Sequence, residues 1–416
     1  RTLPAGRKRR TIAITLCRIT GRLENRMRIA LFTETYLPYI NGIVTHVKIL
    51  KDGLEQLGHE VLVVTADANA KHHFVDAGNI LRCPAVVSKK FYGYSLSSPF
   101  IRDRVKFVRD FNPDIIHIHN EFGIGYSGYR IAKALNVPLV YTLHTMYDDY
   151  IYYIAPKALA PAATRLSHKY TKILAKRANA VTGPSIKCSE YFKNAGLKGK
   201  EVHVIPNAVE VDEFSPRNIS KEVRDALRQK HGIPVDSMVC VFVGRLGREK
   251  SCDVLLDYWS QSVTPQDKMH LIIIGGGPIQ PELEEQARKL GLQGRVTFTG
   301  KVPHEELAPY YAISDVYITA SLSDTNSISM LEGMCSGLPV LQRTDPLNAD
   351  QVVDGENGYN FNNADEMAAK LRQIQAMDPA ALAAFKESVI QSIRNSGAQT
   401  LANNTLAVYR SILKKG

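Results

Sequence analysis

The sequence predicts an α/β protein of two doubly wound units, each a parallel sheet flanked by helices, and three observations carry that expectation. Short β-rich runs alternate with helical patterns along the chain, which is how strands joined by crossover helices read. The runs fall into two series of six, parted by Pro206–Pro216 (PNAVEVDEFSP), a turn-rich segment without sustained period that reads as a linker. The length of 416 residues suffices, at roughly 150 per domain, for two units each with its own core.

The chain opens with a basic leader. Residues 1–26 hold Arg1, Arg7, Lys8, Arg9, Arg10, Arg18, Arg22 and Arg26 against Glu24, and so supply +7 of the +11 formal net charge. The apolar stretch Thr11–Leu16 is too short for a signal-peptide core, and Met27 is followed at once by a strand, Arg28–Phe32, so Met27 reads as the natural start. The leader is expected to be a non-native or disordered tail, with a nucleic-acid-binding arm as the functional alternative. The first series then places strands at Ile29–Phe32, Val61–Thr65, Ile115–Ile118, Leu139–Thr142, Ala180–Thr182 and Val202–Ile205, with helices such as Val44–Leu57 and Gly128–Leu135 between them. The second places strands at Val239–Val243, Leu271–Ile274, Val296–Thr299, Val316–Ile318, Pro339–Leu341 and Tyr359–Phe361. A last helix is expected over Thr400–Leu413.

Composition narrows the class. With 44% hydrophobic and 22% charged residues the chain is globular, and no apolar run approaches the roughly 20 residues of a membrane-spanning helix. Six cysteines without a C-x-x-C pair indicate neither a disulfide framework nor a structural zinc site, and fit a reducing cytoplasm.

Doubly wound sheets bind ligands beyond the carboxyl ends of their strands, so the loops there should hold the chemistry. Thr33–His46 (TETYLPYINGIVTH) sets Asn41-Gly42 before a helix, where glycine lets backbone N–H groups and the helix dipole approach a phosphate; a plain tight turn explains Gly42 equally well. Val243–Lys250 (VGRLGREK) follows a strand and places Arg245 and Lys250 where two cations would neutralise a diphosphate, with solvated surface charge as the plainer reading. Glu249 stands where a Walker A loop requires glycine, which disfavours a P-loop kinase or ATPase. Ile272–Pro278 (IIIGGGP) runs an apolar strand into three glycines centred on Gly276, either a backbone-approach loop under a nucleotide or a bare strand-to-helix turn. In Ser321–Pro339 (SLSDTNSISMLEGMCSGLP), Asp324 and Glu332 lie eight positions apart across a loop-to-helix junction. Thr325, Asn326 and Ser327 offer small polar groups at that helix N-terminus, suited to sugar hydroxyls and a phosphate, and Glu332 is placed to accept both hydroxyls of a ribose. An Asp or Ser N-cap followed by an ordinary helical glutamate explains the same letters.

Together and in this order, these loops resemble the family-4 retaining glycosyltransferases of the GT-B fold, from Met27 to the C-terminus. The match includes FTETYLPYINGIVTH, the linker IPNAVEVDEF, the GRL-x-x-EK segment, the glycine loop, and the acidic pair with GLPV downstream. The resemblance implies two facing Rossmann-like domains with the donor site in the cleft between them. An acceptor-binding domain would span 27–205, a nucleotide-sugar-binding domain 206–399, and a helix within 400–415 would pack back on the first. It further implies that Glu332 holds the nucleotide ribose, Arg245 and Lys250 the diphosphate, Gly42 the distal phosphate, and His144 of YTLHTMYDDY the donor sugar. On the residues alone, His144 also reads as a structural histidine ending a strand. The family pair is Glu-x7-Glu; Asp324 is the shorter residue at the first position, which bears on its reach to sugar hydroxyls.

The implied chemistry breaks a sugar–phosphate bond, so preorganised cations stabilise negative charge as it develops on the leaving diphosphate. Such enzymes retain anomeric configuration, with the leaving phosphate taking the acceptor's proton, and no protein base is assigned. No cofactor and no metal are expected, because the chain has no Asp-x-Asp triplet and the Arg245–Lys250 pair stands in for a divalent ion.

Two rivals from other classes are weighed. Gly123–Gly128 (GIGYSG) matches the dinucleotide fingerprint, but the next strand leads into Leu143 and His144 where a nicotinamide fold wants an acidic residue for the ribose. Because Asp324 departs from the family carboxylate, a catalytically impaired sugar-nucleotide-binding module is the non-enzymatic alternative; donor hydrolysis separates the two.

The acceptor is read from charge and aromatics. Between Pro84 and Arg177 fourteen lysines and arginines face six acids, and Pro156–Arg177 mixes Leu159, Leu166, Ile173 and Leu174 with six cations including Lys169, Lys172 and Lys176. That pattern suits a helix on an anionic membrane surface, and equally the solvated face of a packed helix. The segment HTMYDDYIYYI, with Asp149 and the cluster Tyr147, Tyr150, Tyr152 and Tyr153, is similar to one in bacterial 1,2-diacylglycerol 3-glucosyltransferases of this family, and tyrosines suit a lipid–water boundary. The resemblance therefore implies transfer from a UDP-sugar, UDP-glucose foremost, to diacylglycerol or a related glycolipid. The enzyme would act as a peripheral protein on the inner face of the cell membrane; polysaccharide or small-sugar acceptors are the alternatives.

Overall fold

The computed structural model describes residues 26–87, 95–100, 102–151, 156–348 and 351–414. Residues 1–25 of the leader, with Cys17, lie outside the described residues, as do Tyr152 and Tyr153.

The first lobe is one sheet of β1 (Arg28–Thr33), β2 (Glu60–Asp67), β3 (Phe74–Asp76), β4 (Ile80–Val87), β5 (Ser95–Ser97), β6 (Ile115–Ile118), β7 (Leu139–Thr142), β8 (Ala180–Gly183) and β9 (Val202–Val204). Its order is β3-β4-β2-β1-β6-β7-β8-β9, with β5 also on β4. Strands β1, β2, β4 and β6–β9 run parallel, while β3 and β5 are antiparallel to β4. Helices α1 (Gly42–Gln56), α2 (Arg104–Phe111), α3 (Gly123–Leu135), α4 (Ala160–Arg177) and α5 (Ile186–Asn194) cross between them. All six expected strands are present with ends shifted by at most two residues; β3, β4 and β5 are additions.

The second lobe is β10 (Met238–Val243), β11 (Met269–Ile274), β12 (Val296–Gly300), β13 (Val316–Thr319), β14 (Val340–Arg343) and β15 (Gly358–Phe361), all parallel, in the order β12-β11-β10-β13-β14-β15. With α6 (Lys221–Lys230), α7 (Cys252–Ser262), α8 (Gln280–Lys289), α9 (Leu307–Ala312), α10 (Ile328–Cys335), α11 (Ala364–Gln375) and α12 (Pro379–Ser392), it is the doubly wound 3-2-1-4-5-6 arrangement. The apolar runs MVCVFV and MHLIII become β10 and β11, buried at every residue, as strands covered on both faces must be.

The chain returns to the first lobe through α13 (Ala398–Leu413), the helix expected over Thr400–Leu413. It packs on α1, where Gly53 permits the approach: a Cβ there would lie 2.4 Å from the Ala398 carbonyl oxygen. Leu401, Leu406 and Tyr409 are buried, each worth about 1.5–3 kcal/mol of apolar burial. The Tyr409 hydroxyl lies 2.7 Å from His117 Nδ1 on β6.

Each sheet reverses its strand order once, between β1 and β6 and between β10 and β13. Ligands in such sheets bind in the crevice outside the carboxyl ends at that point. The two crevices face each other. Asn207 of the linker donates its backbone N–H to Asn326 Oδ1 (2.9 Å) and its side-chain amide to Asn326 O (2.6 Å), and Gly42 lies across from Ile328.

Candidate active site in the interlobe cleft

The second lobe contributes the charged half of the site. Arg245 and Lys250 follow β10 as expected, but each has a carboxylate partner: Arg245 pairs with Glu249, and Lys250 Nζ lies 2.5 Å from Asp324 Oδ1. Burial alone would lower the Lys250 pKa; Asp324 and the Tyr150 hydroxyl outweigh it, so the ammonium is held above the ordinary lysine value. Burial likewise pushes the Asp324 carboxyl up, and Lys250 more than reverses this. The two cations expected beside a diphosphate thus stand at the carboxyl end of β10, each already paired with a carboxylate. Asp324, whose shorter side chain left its contact with sugar hydroxyls open, points its carboxylate at Lys250.

The glycine loop after β11 approaches the Arg245 loop closely. A Cβ on Gly275, whose φ is +138°, would lie 1.8 Å from Gly244 O, and one on Gly277 would lie 2.2 Å from Leu246 O. Gly276 between them meets nothing closer than 3.6 Å and is the member with room for a ligand. Glu332 on α10 is 3% exposed, with Oε1 2.9 Å from His304 Nε2 and Oε2 accepting from Tyr311 Oη at 2.9 Å. The hydrogen bond to Glu332 raises the His304 pKa despite burial. Two bonds leave the carboxylate acceptor capacity for a diol while fixing its plane. Ser327 caps α10, its Oγ accepting from Met330 N at 3.3 Å, and Asn326 accepts from Asn207 through Oδ1 and its backbone O in a lobe-to-lobe contact.

The first lobe contributes imidazoles. His144, in the loop after β7, lies with its Nε2 3.1 Å from Nδ1 of His119, which follows β6; His46 on α1 packs edge-on to His144 with ring centroids 4.6 Å apart. Burial pushes all three pKa values down, His46 to about 4, and neighbouring imidazoles lower His119 and His144 further, so the cluster is neutral near pH 7. Gly42 begins α1, where the Asn41 side chain accepts from Val44 N at 3.0 Å. The dinucleotide alternative is excluded by the same lobe. At the N-terminus of α3, where a pyrophosphate would sit, Glu34 accepts from Ile124 N (2.6 Å), Ser97 N (2.5 Å) and Asn120 Nδ2 (3.3 Å).

Lys187 on α5, unremarked in sequence, joins the lobes. Its Nζ donates to Leu322 O (2.5 Å) and Asp324 O (2.9 Å) and pairs with Asp345, both side chains being 7% exposed. It thereby holds the loop that carries Asp324. Beside it Asp148, Asp149, Arg248, Glu249, Ser251, Leu322 and Ser323 line a cleft of about 390 Å³. Burial pushes the Asp149 carboxyl up to about 6, against Lys187.

Of the tyrosines expected at a lipid boundary, the two described ones, Tyr147 and Tyr150, have partners within the protein. Tyr147 donates its hydroxyl to Glu121, a carboxylate that Tyr141 also binds at 2.6 Å, and Tyr150 lies under Arg245 with 5.1 Å from Cζ to the ring centroid. The basic helix α4 is buried on one side and exposed on the other. Leu174 is buried against the core, whereas Leu166 is 68% exposed and Leu159, just before the helix, 59%. Lys169, Lys172 and Lys176 line a groove of about 500 Å³ with Arg165 and His168. Among the described residues no helix is long and apolar enough to cross a membrane, and the five described cysteines are buried and form no disulfide with one another.

With this geometry in place, comparison with known proteins is informative. Residues 40–213 match the model of Glycosyltransferase Family 4, and residues 223–389 that of Glycosyl transferases group 1. The alpha-monoglucosyldiacylglycerol synthase of Acholeplasma laidlawii is 32% identical over 94% of this chain and 98% of its own length. The synthase of the same name from Streptococcus pneumoniae is 30% identical over 85% of this chain and 79% of its own. Among solved structures, Anabaena HepE in complex with UDP-glucose superposes with a TM-score of 0.71 at 18% identity, covering 93% of this chain and all of that one.

Proposed function

The chain belongs to glycosyltransferase family 4, has the GT-B fold and lies close to the bacterial diacylglycerol glucosyltransferases; from that premise we propose that it transfers glucose from UDP-glucose, with retention, to diacylglycerol or a related glycolipid at a membrane surface. The observation that carries this reading is the near full-length similarity to two synthases named for a monoglucosyl diacylglycerol product. The exposed leucines and cations of α4 support the membrane part, since such a helix gains both apolar burial and attraction to anionic lipid.

In this reading the diphosphate leaves with the electron pair of the C1–O bond, and Arg245 and Lys250 stabilise the charge as it forms. The 3-hydroxyl oxygen of the acceptor bonds to C1, and its proton passes to the departing phosphate oxygen. Glu332, fixed by His304 and Tyr311, accepts the ribose hydroxyls, Gly276 and the α1 N-terminus at Gly42 give the donor backbone room, and His144 faces the sugar. The cation pair does the work of a divalent ion, so the transfer needs no metal.

The test offers radiolabelled UDP-glucose, UDP-galactose and GDP-mannose to the protein with vesicles containing diacylglycerol and anionic lipid. Label should enter an organic-extractable α-glucolipid from UDP-glucose alone, and persist in chelator. Label released only as free sugar or in a water-soluble product would refute the lipid acceptor.

A further inference from the structure

His46, His119 and His144 each bring one ligand-capable nitrogen within 4.8 Å of the other two, and among the described residues this is the group of three such side chains so gathered. They come from α1, the loop after β6 and the loop after β7, so the fold itself assembles them. Three details separate them from ordinary packed histidines.

The first is tautomer. Asn207 Nδ2 donates to Asn326 O at 2.6 Å, which fixes the amide so that Oδ1 faces His46 Nδ1 at 2.9 Å. An amide oxygen only accepts; Nδ1 of His46 therefore carries the proton, and Nε2 presents its lone pair. This is the orientation that an outer hydrogen bond gives a metal-bound imidazole. The second is an unused nitrogen. His119 shares Nδ1 with His144, while its Nε2 is buried with no hydrogen-bond partner among the described residues, so its hydrogen-bonding capacity is not used up by the surrounding protein. The third is support from below. His117 packs against His119 with centroids 4.1 Å apart and rings tilted by 35°, and both its nitrogens are taken, by Tyr409 at 2.7 Å and Thr142 at 2.6 Å, so it holds the cluster without joining it.

We propose that His46, His119 and His144 form a binding site for one borderline-soft divalent transition ion of the Zn²⁺ class. Three neutral imidazoles are the donor set such ions prefer, and need lose no charge to bind. Tetrahedral coordination at a Zn–N distance of about 2.1 Å sets ligand nitrogens about 3.4 Å apart, which lies between the 3.1 Å from His119 Nδ1 to His144 Nε2 and the 4.8 Å within which all three gather. His144 is the partly exposed member of the three, the other two being buried, so a fourth ligand would be water or an anion reaching the ion past it. Because the proposed function gives His144 to the donor sugar, ion and donor compete for it; this clause alone rests on that reading, and the ion is an occupant of the free enzyme rather than a participant in transfer.

Cobalt titration of the metal-free full chain tests the site directly. One equivalent of Co²⁺ should give the visible bands of a four-coordinate nitrogen site, and Zn²⁺ should abolish them. His119→Ala and His46→Ala should lose the bands at equimolar ion, and Asn207→Ala should weaken binding about 10–100-fold. Should the buried substitutions unfold the protein by far-UV circular dichroism, His144→Ala, on the solvent side, carries the same expectation. Absence of bands in the wild-type chain, or their survival in the folded histidine variants, would overturn the site. Bands that form but are indifferent to UDP-glucose would overturn the competition and the donor's place at His144, leaving the metal site standing.

Discussion

Replacing Lys187 by methionine keeps most of the side-chain volume on α5 and removes its charge from the lobe junction. The Lys187–Asp345 pair is 7% exposed on both sides, and Lys187 also donates to Leu322 O and Asp324 O. Without it, the donors left to Asp345 among the described residues are neutral, Asn348 Nδ2 and Leu347 N, each at 3.1 Å. Removing one partner of a buried pair costs about 3–5 kcal/mol because the other charge stays uncompensated. Since the pair spans two lobes, the loss should appear as local opening before global unfolding. Hydrogen exchange measured by mass spectrometry should therefore speed up across residues 321–327 and 344–348 by a factor on the order of 100 or more, at about 1.4 kcal/mol per decade. The central strands β10 and β11 should be unaffected. Adding Asp345→Asn should recover much of the protection, because a pair removed whole leaves no orphan charge. Exchange in Lys187→Met within threefold of wild type, or no recovery in the double variant, would refute the idea that this lysine holds the Asp324 loop.

Further outcomes follow from single observations. Ser251 sits at φ +51°, in the left-handed region, and Ser251→Gly should raise stability by about 0.5–1 kcal/mol in denaturant titration, after the entropy glycine adds to the unfolded chain. Burial raises the Glu34 pKa from 4.5 to about 7, so the folded state holds that proton more tightly than the unfolded; stability should fall by about 3 kcal/mol as pH rises from 4.5 to 7. Glu34→Gln should be less stable overall and lack that slope when melted across the same range. Lys169→Glu with Lys176→Glu should weaken sedimentation with anionic vesicles by tenfold or more, since each cation near the surface contributes about 1 kcal/mol; equal binding at low salt would remove α4 from the membrane contact.

The sequence carried the fold where physics is local. Continuous apolar runs such as MHLIII have one stable home, a parallel strand covered on both faces, and β10 and β11 lie within two residues of where periodicity puts them. Strand β4 escaped because Arg82 and Pro84 break its pattern, and proline is tolerated there because Pro84 falls between the β3 pairings, which end at Arg82, and the β5 pairings, which begin at Ala85. The site was legible as positions along the chain and not as partners. Nothing near Lys250 announces that Asp324, 74 residues on, is its counterion, nor near Glu332 that His304 and Tyr311 will bind it. Those pairs exist only once β10 and β13 flank the reversal of strand order. Of the imidazoles, His144 was found through resemblance; His117 and His119, written as HIH at the end of β6, had a signal in their place at a strand's carboxyl end, and His46 sits where a helix interior shows none.

The central claim, that the crevice at β10 and β13 neutralises a leaving diphosphate during transfer to lipid, is tested most directly by one rate comparison. Glucose transfer from UDP-glucose to diacylglycerol in anionic vesicles should be measured for wild type and Lys250→Met, with matched circular dichroism. The rate should fall by about 10²–10³, the loss seen when one preorganised charge-stabilising group is removed. A folded Lys250→Met protein that transfers within threefold of wild type would contradict the account.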